Sequence, residues 1–492
     1  MFHKRDHRPE DSDSRRGPSN DPARAPASAP SPAIPYTRPE GPPIPPGVPA
    51  VHLKSIRMGA FIYERMVDRV EGDPSDGDIV AVADKYGRLF GWAFWHSRSQ
   101  IALRMISRGG PMPDDALFAA RVRRAVALRH DVLQLPRTTD AYRLIHAEGD
   151  GLSGLVADRF GPYVVIELFS LAMFQRIEKI EDALIDAGLS VRQIIVRADK
   201  RVLQQEGFNL GKRAARRDLP VEITENGVKF LVQAGGGHKT GFFCDQRDNR
   251  LALAEFTEGK SVLDVCCYTG GFAIYAATRG RAAEVTGVDL DEEAIAAAKV
   301  NARLNAGVPW FDASSRQPRI DQERGDDRGC GEDAANHGTP TMGSAPAKID
   351  FQHADAFDFL RSAGQQGRKW DVVIADPSKF VAGRAMMDVG LRKYFDLNRL
   401  AAGVVAPGGI LLTCCCSGLV DEATFLDTVG RAVRAGPQAT ARPIEPAPAA
   451  AKPIEAGRQA QVFRVTGPGG DHPVLAAAPE GDYLKAVWAR VL

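Results

Sequence analysis

The chain has 492 residues, 44% of them hydrophobic, and a formal net charge of +1. Such a length is about three domains' worth and can bury sizeable cores, while the near-neutral balance excludes any argument from global charge. A nucleic-acid contact would therefore have to rest on local basic patches. No apolar run is long enough to span a membrane, and the opening MFHKRDHRPEDSDSRR is charged rather than secretory. Seven cysteines, an odd number, fall partly in the runs Cys266-Cys267 and Cys414-Cys415-Cys416 without a C-x-x-C pair. That pattern fits neither a disulfide framework nor zinc, and the expectation is a reducing, cytoplasmic setting with no metal and no membrane.

Met1 to about Ala50 is rich in Pro, Ser, Arg and Asp and reads as a disordered tail. From Val51 to about Gly109, short alternating runs (IVAVAD, LFGWAFW, QIALRMIS) are separated by turns such as Asp76-Gly77-Asp78 and Tyr86-Gly87-Arg88, the mark of a small β-rich domain. Its outline resembles the PUA-type RNA-binding module that begins a family of large-subunit ribosomal RNA methyltransferases. The opening departs from that family, with Met58-Gly59-Ala60-Phe61-Ile62 in place of His-Pro-Trp-Ile-Phe. Next, Asp114 to Leu135 reads as an amphipathic helix with Arg121, Arg123, Arg124 and Arg129 on its outer face. A hairpin pattern follows around Gly149-Asp150-Gly151 and Phe160-Gly161-Pro162-Tyr163, then a helix over Gln175 to Ala187 and a strand over Gln193 to Arg197. Glu148 and Asp150 look like a catalytic pair, but turn residues beside glycine explain them better. This passage, to about Arg217, resembles the linking domain of the same family.

Ile223 to Val232 forms a hairpin around Asn226-Gly227, and GGGHKTGFFCDQRDNR opens a third domain running from about residue 218 to 492. The stretch resembles the family's Gln-Lys-Thr-Gly-Phe-Tyr-x-Asp-Gln-Arg-x-x-Arg segment, with His238 replacing glutamine. In that family the segment lies beside the cofactor, which implies Asp245, Gln246 and Arg247 as cofactor-binding residues; a helix N-terminus capped by Asp245 is compatible with that.

Ser261 to Glu293 is the organising stretch. An apolar run (Val262, Leu263, Val265) ends at Tyr268-Thr269-Gly270-Gly271, an alanine-rich helix follows, and a second run stops at Asp289. In a strand, turn, helix, strand unit the strand ends share one sheet edge, where ligands bind. A glycine turn admits a close ligand, and a carboxylate one strand on is placed for ribose hydroxyls. The G-x-G-x-x-G spacing for a pyrophosphate is absent. The pattern resembles the first motif of class I methyltransferases that use S-adenosylmethionine, implying Tyr268, Thr269, Gly270, Gly271 and Asp289 at the cofactor. After a helix over Glu292 to Asn305, the polar, glycine-rich stretch 311–348, Cys330 included, reads as a disordered surface insertion. Asp355 ends the next strand, where such enzymes often bind the adenine amino group.

Two more buried-strand patterns end in Asp376-Pro377 and Cys416-Ser417-Gly418, on the same edge as Gly270. These motifs resemble the Asp-Pro-Pro-Lys-Phe and Ser-Cys-Ser-Gly of the RlmI-like family, with Ser378 replacing the second proline. Lys393-Tyr394-Phe395-Asp396-Leu397-Asn398 and the closing DHPVLAAAPEGDYLKAVW match as well. The resemblance implies an α/β fold, a class I methyltransferase Rossmann-like sheet preceded by a PUA-like and an α+β linking domain, which uses S-adenosylmethionine on ribosomal RNA. It also implies 5-methylcytosine as product. Carbon 5 of cytosine is a poor nucleophile, so a thiol must first add to carbon 6; Cys416 is the expected nucleophile and Asp376 the expected partner of the base, close enough to the methyl donor to count among the cofactor-site residues. By alternation Cys414 shares the face of Cys416 and Cys415 points into a core. The competing readings are a methyltransferase acting on another RNA position, with Cys416 merely buried, and an RNA-binding protein without catalysis. The oligomeric state stays open, a homodimer included.

Overall fold

The structure, a computed structural model, describes residues 41–56, 59–213, 219–236, 241–306, 347–436, 458–476 and 481–492. The tail up to Glu40, Met58, Arg217, His238, most of the expected insertion and Cys330 lie outside the described residues.

Six strands, β1 (Ala50–Leu53), β2 (Phe61–Tyr63), β3 (Val67–Glu71), β4 (Ile79–Ala83), β5 (Leu89–Trp95) and β6 (Ile101–Ser107), form one sheet in the order β2-β6-β5-β4-β1-β3. Alternation along β4 sends Val80 and Val82 into one apolar cluster and Ala81 into another. The expected tail overruns this sheet at its end. Leu89 N–H donates to Pro42 O, and Ile44 and Val48 pack on Ala50, Ala81, Leu89 and Trp92. Two apolar side chains there have a surface to bury against, which a composition average over the tail conceals.

The basic helix also differs from expectation. It is α1 (Asp115–Ala127), capped by Asp114 through Leu117 N–H, and a π-helical turn (Leu128–Val132) continues it. Arg123 and Arg124 face solvent, but Arg121 and Arg129 are buried. They sit four residues either side of Ala125 on the buried face, where carbonyls of neighbouring strands and a turn accept their guanidinium protons, Gly151 O and Ile106 O from Arg121 and Arg143 O from Arg129.

A second sheet, ordered β10-β9-β8-β7, contains β7 (Ala141–His146), β8 (Leu155–Phe160), β9 (Tyr163–Leu168) and β10 (Gln193–Arg197). Helices α2 (Leu171–Gln175), α3 (Ile177–Asp186), where a helix over Gln175 to Ala187 is expected, and α4 (Lys200–Glu206) accompany it. Phe118, Val122, Ile180 and Leu184 cover one face of the sheet at Leu144, Val164 and Ile166. Glu148 accepts from Ser153 Oγ and Asp150 from the His146 N–H, so both serve the turn.

The hairpin β11 (Leu219–Glu225) and β12 (Val228–Ala234) turns at Asn226 (φ 50°) and Gly227 (φ 80°), the left-handed pair that a two-residue hairpin favours. Its Val221, Ile223, Phe230 and Val232 lie in one core with Phe160 and Val165 of the second sheet and Phe272 and Tyr275 of the third.

After α5 (Arg247–Ala254), the third sheet alternates strand and helix: β13 (Ser261–Val265), α6 (Gly271–Ala277), β14 (Glu284–Asp289), α7 (Glu292–Leu304), β15 (Lys348–His353), α8 (Ala356–Gln365), β16 (Trp370–Ala375), α9 (Met387–Val404), β17 (Val405–Cys415) and α10 (Glu422–Ala435). The closing strands are β18 (Ala460–Thr466) and β19 (Lys485–Val491), and the order is β15-β14-β13-β16-β17-β19-β18. The first five strands are parallel; β19 and β18 add antiparallel. Successive residues of the apolar strands feed opposite faces: Val262, Ile374, Leu412 and Cys414 one core, Leu263, Val373, Leu411 and Cys415 the other. The carboxyl ends of β13, β14, β16 and β17 therefore meet along one edge.

Candidate active site

Backbone sterics shape the edge first. At the end of β13, Cys266 (φ 63°), Tyr268 (φ 49°) and Gly270 (φ 84°) all adopt left-handed conformations, a concentration of strain typical of functional turns. A Cβ at Gly270 would meet the Phe351 ring at 3.0 Å and Ile274 at 3.1 Å, so glycine is needed there for space as well as for φ. The turn is tied down by Cys267 N–H to Val288 O (3.0 Å), Gly270 N–H to Cys267 O (2.8 Å) and Asn301 Nδ2 to Thr269 O (3.1 Å). Gly271 starts α6.

Asp289, at the end of β14, braces this turn. Its Oδ2 accepts the Tyr268 N–H at 2.8 Å and its Oδ1 the Asp291 N–H at 2.9 Å, so the carboxylate stands fixed at the mouth, beside the 65% exposed Leu290. Asp355 caps α8, Oδ1 taking the N–H groups of Phe357 (2.9 Å) and Asp358 (3.1 Å). Beneath the turn, Asp264 on β13 is buried and accepts the Ala273 N–H (3.0 Å). Burial pushes its carboxyl well above the usual range, with Asp376 and Asp289 adding to the effect and the Ala273 N–H opposing it.

The ends of β16 and β17 come together. Cys416 Sγ donates to Pro377 O at 3.6 Å, and Cys416 is partly exposed where Cys414 and Cys415 are fully buried. As expected from alternation, Cys416 packs on the core that holds Cys414, and Cys415 enters the opposite one. The next residue anchors the turn: Ser417 Oγ receives the Val381 N–H (3.2 Å) and bonds Tyr394 OH (2.9 Å), while buried Lys485 donates to Ser417 O (3.3 Å). Burial and the nearby Asp376 carboxylate push the Cys414 thiol well up. Asp376 itself is partly exposed and accepts Gln246 Nε2 at Oδ2, 3.0 Å.

The Asp245-Gln246-Arg247 segment divides its work. Gln246 reaches the edge through Asp376. Asp245 is not the cap of α5, since a 3-10 turn (Cys244–Gln246) runs straight into the helix; its Oδ2 instead accepts Tyr483 OH at 2.6 Å. Arg247 is committed elsewhere: Nη1 and Nη2 each lie 3.0 Å from an Asp471 oxygen, and both residues are buried. A guanidinium spent on a buried carboxylate serves the framework. Sequence reasoning missed Asn249, Thr466, Tyr483, Lys485 and Trp488 as neighbours of the edge. They come from α5, β18, β19 and the segment before β19, and only their inclusion in the family-like closing stretch hinted at Tyr483, Lys485 and Trp488.

Among the described residues no cluster of three or more His, Cys, Asp or Glu side chains could hold a metal ion, and no helix is long and apolar enough to cross a membrane.

Comparison with known proteins adds to this geometry. Residues 54–108 match the PUA-like domain family and residues 213–309 the S-adenosylmethionine-dependent methyltransferase family. The chain is 35% identical over 441 residues to the ribosomal RNA large subunit methyltransferase I of Aeromonas hydrophila, covering 88% of this chain and 96% of that protein. It is 34% identical over 440 residues to the protein of that name from Vibrio vulnificus, covering 89% and 96%. The Vibrio cholerae protein is 33% identical over 453 residues, covering 90% and 100%. Among solved structures, SMU.776, a methyltransferase by description and complexed with SAH, aligns with a TM-score of 0.65 at 18% identity over 90% of this chain and 99% of that one. That likeness speaks for the fold.

Proposed function

This chain belongs to the ribosomal RNA large subunit methyltransferase I family, and from that premise we propose that it forms 5-methylcytosine in large-subunit ribosomal RNA, with Cys416 as nucleophile. It is an S-adenosylmethionine-dependent methyltransferase. The observation that carries the finer reading is the contact of the partly exposed Cys416 with the Asp376-Pro377 turn, Sγ to Pro377 O at 3.6 Å.

The residues of the edge suit the cofactor. A glycine turn with no room for a Cβ and a braced carboxylate one strand away match a ribose-bearing ligand without a pyrophosphate. Tyr268, Thr269, Gly270 and Gly271 would line it, Asp289 would accept from the ribose hydroxyls, Asp355 would face the adenine amino group, and Gln246 and Asp376 would close the methyl end. When bound, S-adenosylmethionine supplies an electrophilic methyl group. Asp245, tied to Tyr483, supports this wall.

The chain's own residues do the remaining work. The target cytosine, single-stranded or flipped from a helix, enters between Asp376 and Cys416. The Cys416 sulfur adds to carbon 6 while its thiol proton passes to the ring nitrogen, and Asp376 accepts a hydrogen bond from that N–H or from the amino group, stabilising the protonated adduct in which carbon 5 is nucleophilic. Once carbon 5 is methylated, its proton is lost, the ring double bond re-forms and the carbon to sulfur bond breaks, returning Cys416. Phosphate and base contacts outside the site fall to the PUA-like part, residues 51–110, and the linking part, 111–217, with residues 218–492 as the catalytic part.

The test is incubation with tritiated S-adenosylmethionine and large-subunit ribosomal RNA lacking its own carbon 5 methylation, followed by digestion to nucleosides. Label in 5-methylcytidine that falls at least about a thousandfold in Cys416→Ala is expected. Label in another nucleoside, or label that persists in the variant, overturns the thiol mechanism.

A further inference from the structure

We propose that a one-way chain of hydrogen bonds running from Trp488 to Asp376 is a positioning device that holds the Asp376 carboxylate as an acceptor facing the target base. The inference rests on the cytosine reading above and adds the residues that make Asp376 competent for it.

The direction of the chain follows from its first member. An indole N–H can only donate. Trp488 Nε1 donates to Thr466 Oγ1 at 2.9 Å, and the single Thr466 hydroxyl proton goes to Asn249 Oδ1 at 2.7 Å. Asn249 Nδ2 then donates to Gln246 Oε1 at 2.7 Å and to Gly467 O at 3.2 Å. Gln246 Nε2 donates to Asp376 Oδ2 at 3.0 Å. The Thr466 proton fixes the Asn249 amide, and that amide fixes the Gln246 amide. A rotated Gln246 would set its oxygen against the Asp376 carboxylate and its NH2 against that of Asn249, with both groups buried and unable to turn to water.

The construction draws on β19, β18, α5, the turn before α5 and the end of β16. Trp488, Asn249 and Gln246 are buried, whereas the chain ends on a partly exposed carboxylate at the ligand edge. Packing alone would be served by apolar residues at these places. What the polar chain adds is a fixed donor against one Asp376 oxygen, which fixes the carboxylate's orientation and keeps it an acceptor. An acceptor suits the amino group and protonated ring nitrogen of cytosine; the carbonyl oxygen that uracil carries in place of the amino group would be repelled.

The experiment uses the full chain, tritiated S-adenosylmethionine and the undermethylated large-subunit RNA, with Thr466→Val, Asn249→Asp and the conservative Thr466→Ser. Valine breaks the chain in its middle; aspartate still accepts from Thr466 but cannot donate to Gln246. We expect kcat to fall roughly 10- to 100-fold in Thr466→Val and Asn249→Asp, the loss of one charge-assisted hydrogen bond, with KM for S-adenosylmethionine changed less than about twofold. Thr466→Ser should recover kcat to within about threefold of wild type. Melting curves on each variant identify any that misfolds, in which case the other broken variant decides. Wild-type kcat in both broken variants, a serine variant as slow as valine, or a kcat loss matched by a rise in KM for S-adenosylmethionine overturns the positioning role. Wild-type label in a nucleoside other than 5-methylcytidine overturns the parent reading, and this proposal with it.

Discussion

Two regions of this molecule bury polar groups in quantity, and they do opposite things with them. At the junction of the second sheet with the C-terminal segment, each charge meets its match. Asp471 takes Arg247 Nη1 and Nη2 (3.0 Å each) and the Arg143 N–H (2.8 Å), Arg143 grips Asp158 through Nε and Nη2, and Arg129 reaches Asp150 at 2.7 Å. At the carboxyl edge of the third sheet, the chain from Trp488 reaches Asp376, and Asp376, Asp289 and Cys416 keep part of their surface open. The closed network is built for rigidity, the open one for a ligand. Burial and perturbed ionisation occur in both, so neither property alone marks a site; what separates them is whether the last group in the network faces protein or the edge.

Breaking the closed network should cost most. Burial alone would raise the Asp471 carboxyl, yet His472 and Arg247 hold it far below its ordinary range, so it is charged wherever the protein is folded. Asp471→Asn leaves buried Arg247 only the exposed Asp248 as counter-charge and is expected to destabilise by about 3–5 kcal/mol in denaturant unfolding, while kcat of the folded fraction changes little. A stability change below about 1 kcal/mol would show that the network is not structural.

A pH series sharpens the comparison. His146 abuts this network, its Nδ1 2.9 Å from Arg143 Nη1, and burial, then the charges of Arg143 and His472, push it from 6.5 down to about 2. The unfolded chain therefore binds a proton near pH 6.5 that the folded one refuses until far lower. Stability is full above that pH and falls as pH drops, by about 1.4 kcal/mol per unit, or roughly 2 kcal/mol by pH 5. His146→Asn, which keeps an acceptor for Arg143, should lose less between pH 7 and 5 than wild type; equal losses would remove His146 as the cause.

The smallest effect is expected at the open edge. Asp289→Asn retains an oxygen for the Tyr268 N–H but lowers the charge offered to ribose hydroxyls. KM for S-adenosylmethionine should rise about tenfold with unfolding unchanged to within about 0.5 kcal/mol. An unchanged KM would remove Asp289 from the cofactor site.

Local patterns carried much of this. Mainly apolar runs at Ser261–Val265, Trp370–Ala375 and Ile410–Cys415, bounded by turn residues, read as strands buried on both faces, and Asn226-Gly227 as a tight hairpin turn. Period-two alternation assigned Cys414 and Cys415 to opposite cores in advance. The same reasoning misplaced Arg121 and Arg129, because a charged residue on an apolar helix face finds its place only when distant carbonyls accept its protons. It could not supply the partner of Arg247, Asp471, which lies 224 positions away.

By itself, then, the sequence determined what depends on neighbours along the chain: strands, glycine turns, the class of sheet and the edge where Gly270, Asp289, Asp376 and Cys416 gather. Only the tertiary structure decided which charged and amide groups serve the edge and which lock the framework. Hydrogen bonds such as Thr466 to Asn249 and Gln246 to Asp376 join segments remote in sequence, and their geometry exists only after the sheets have packed.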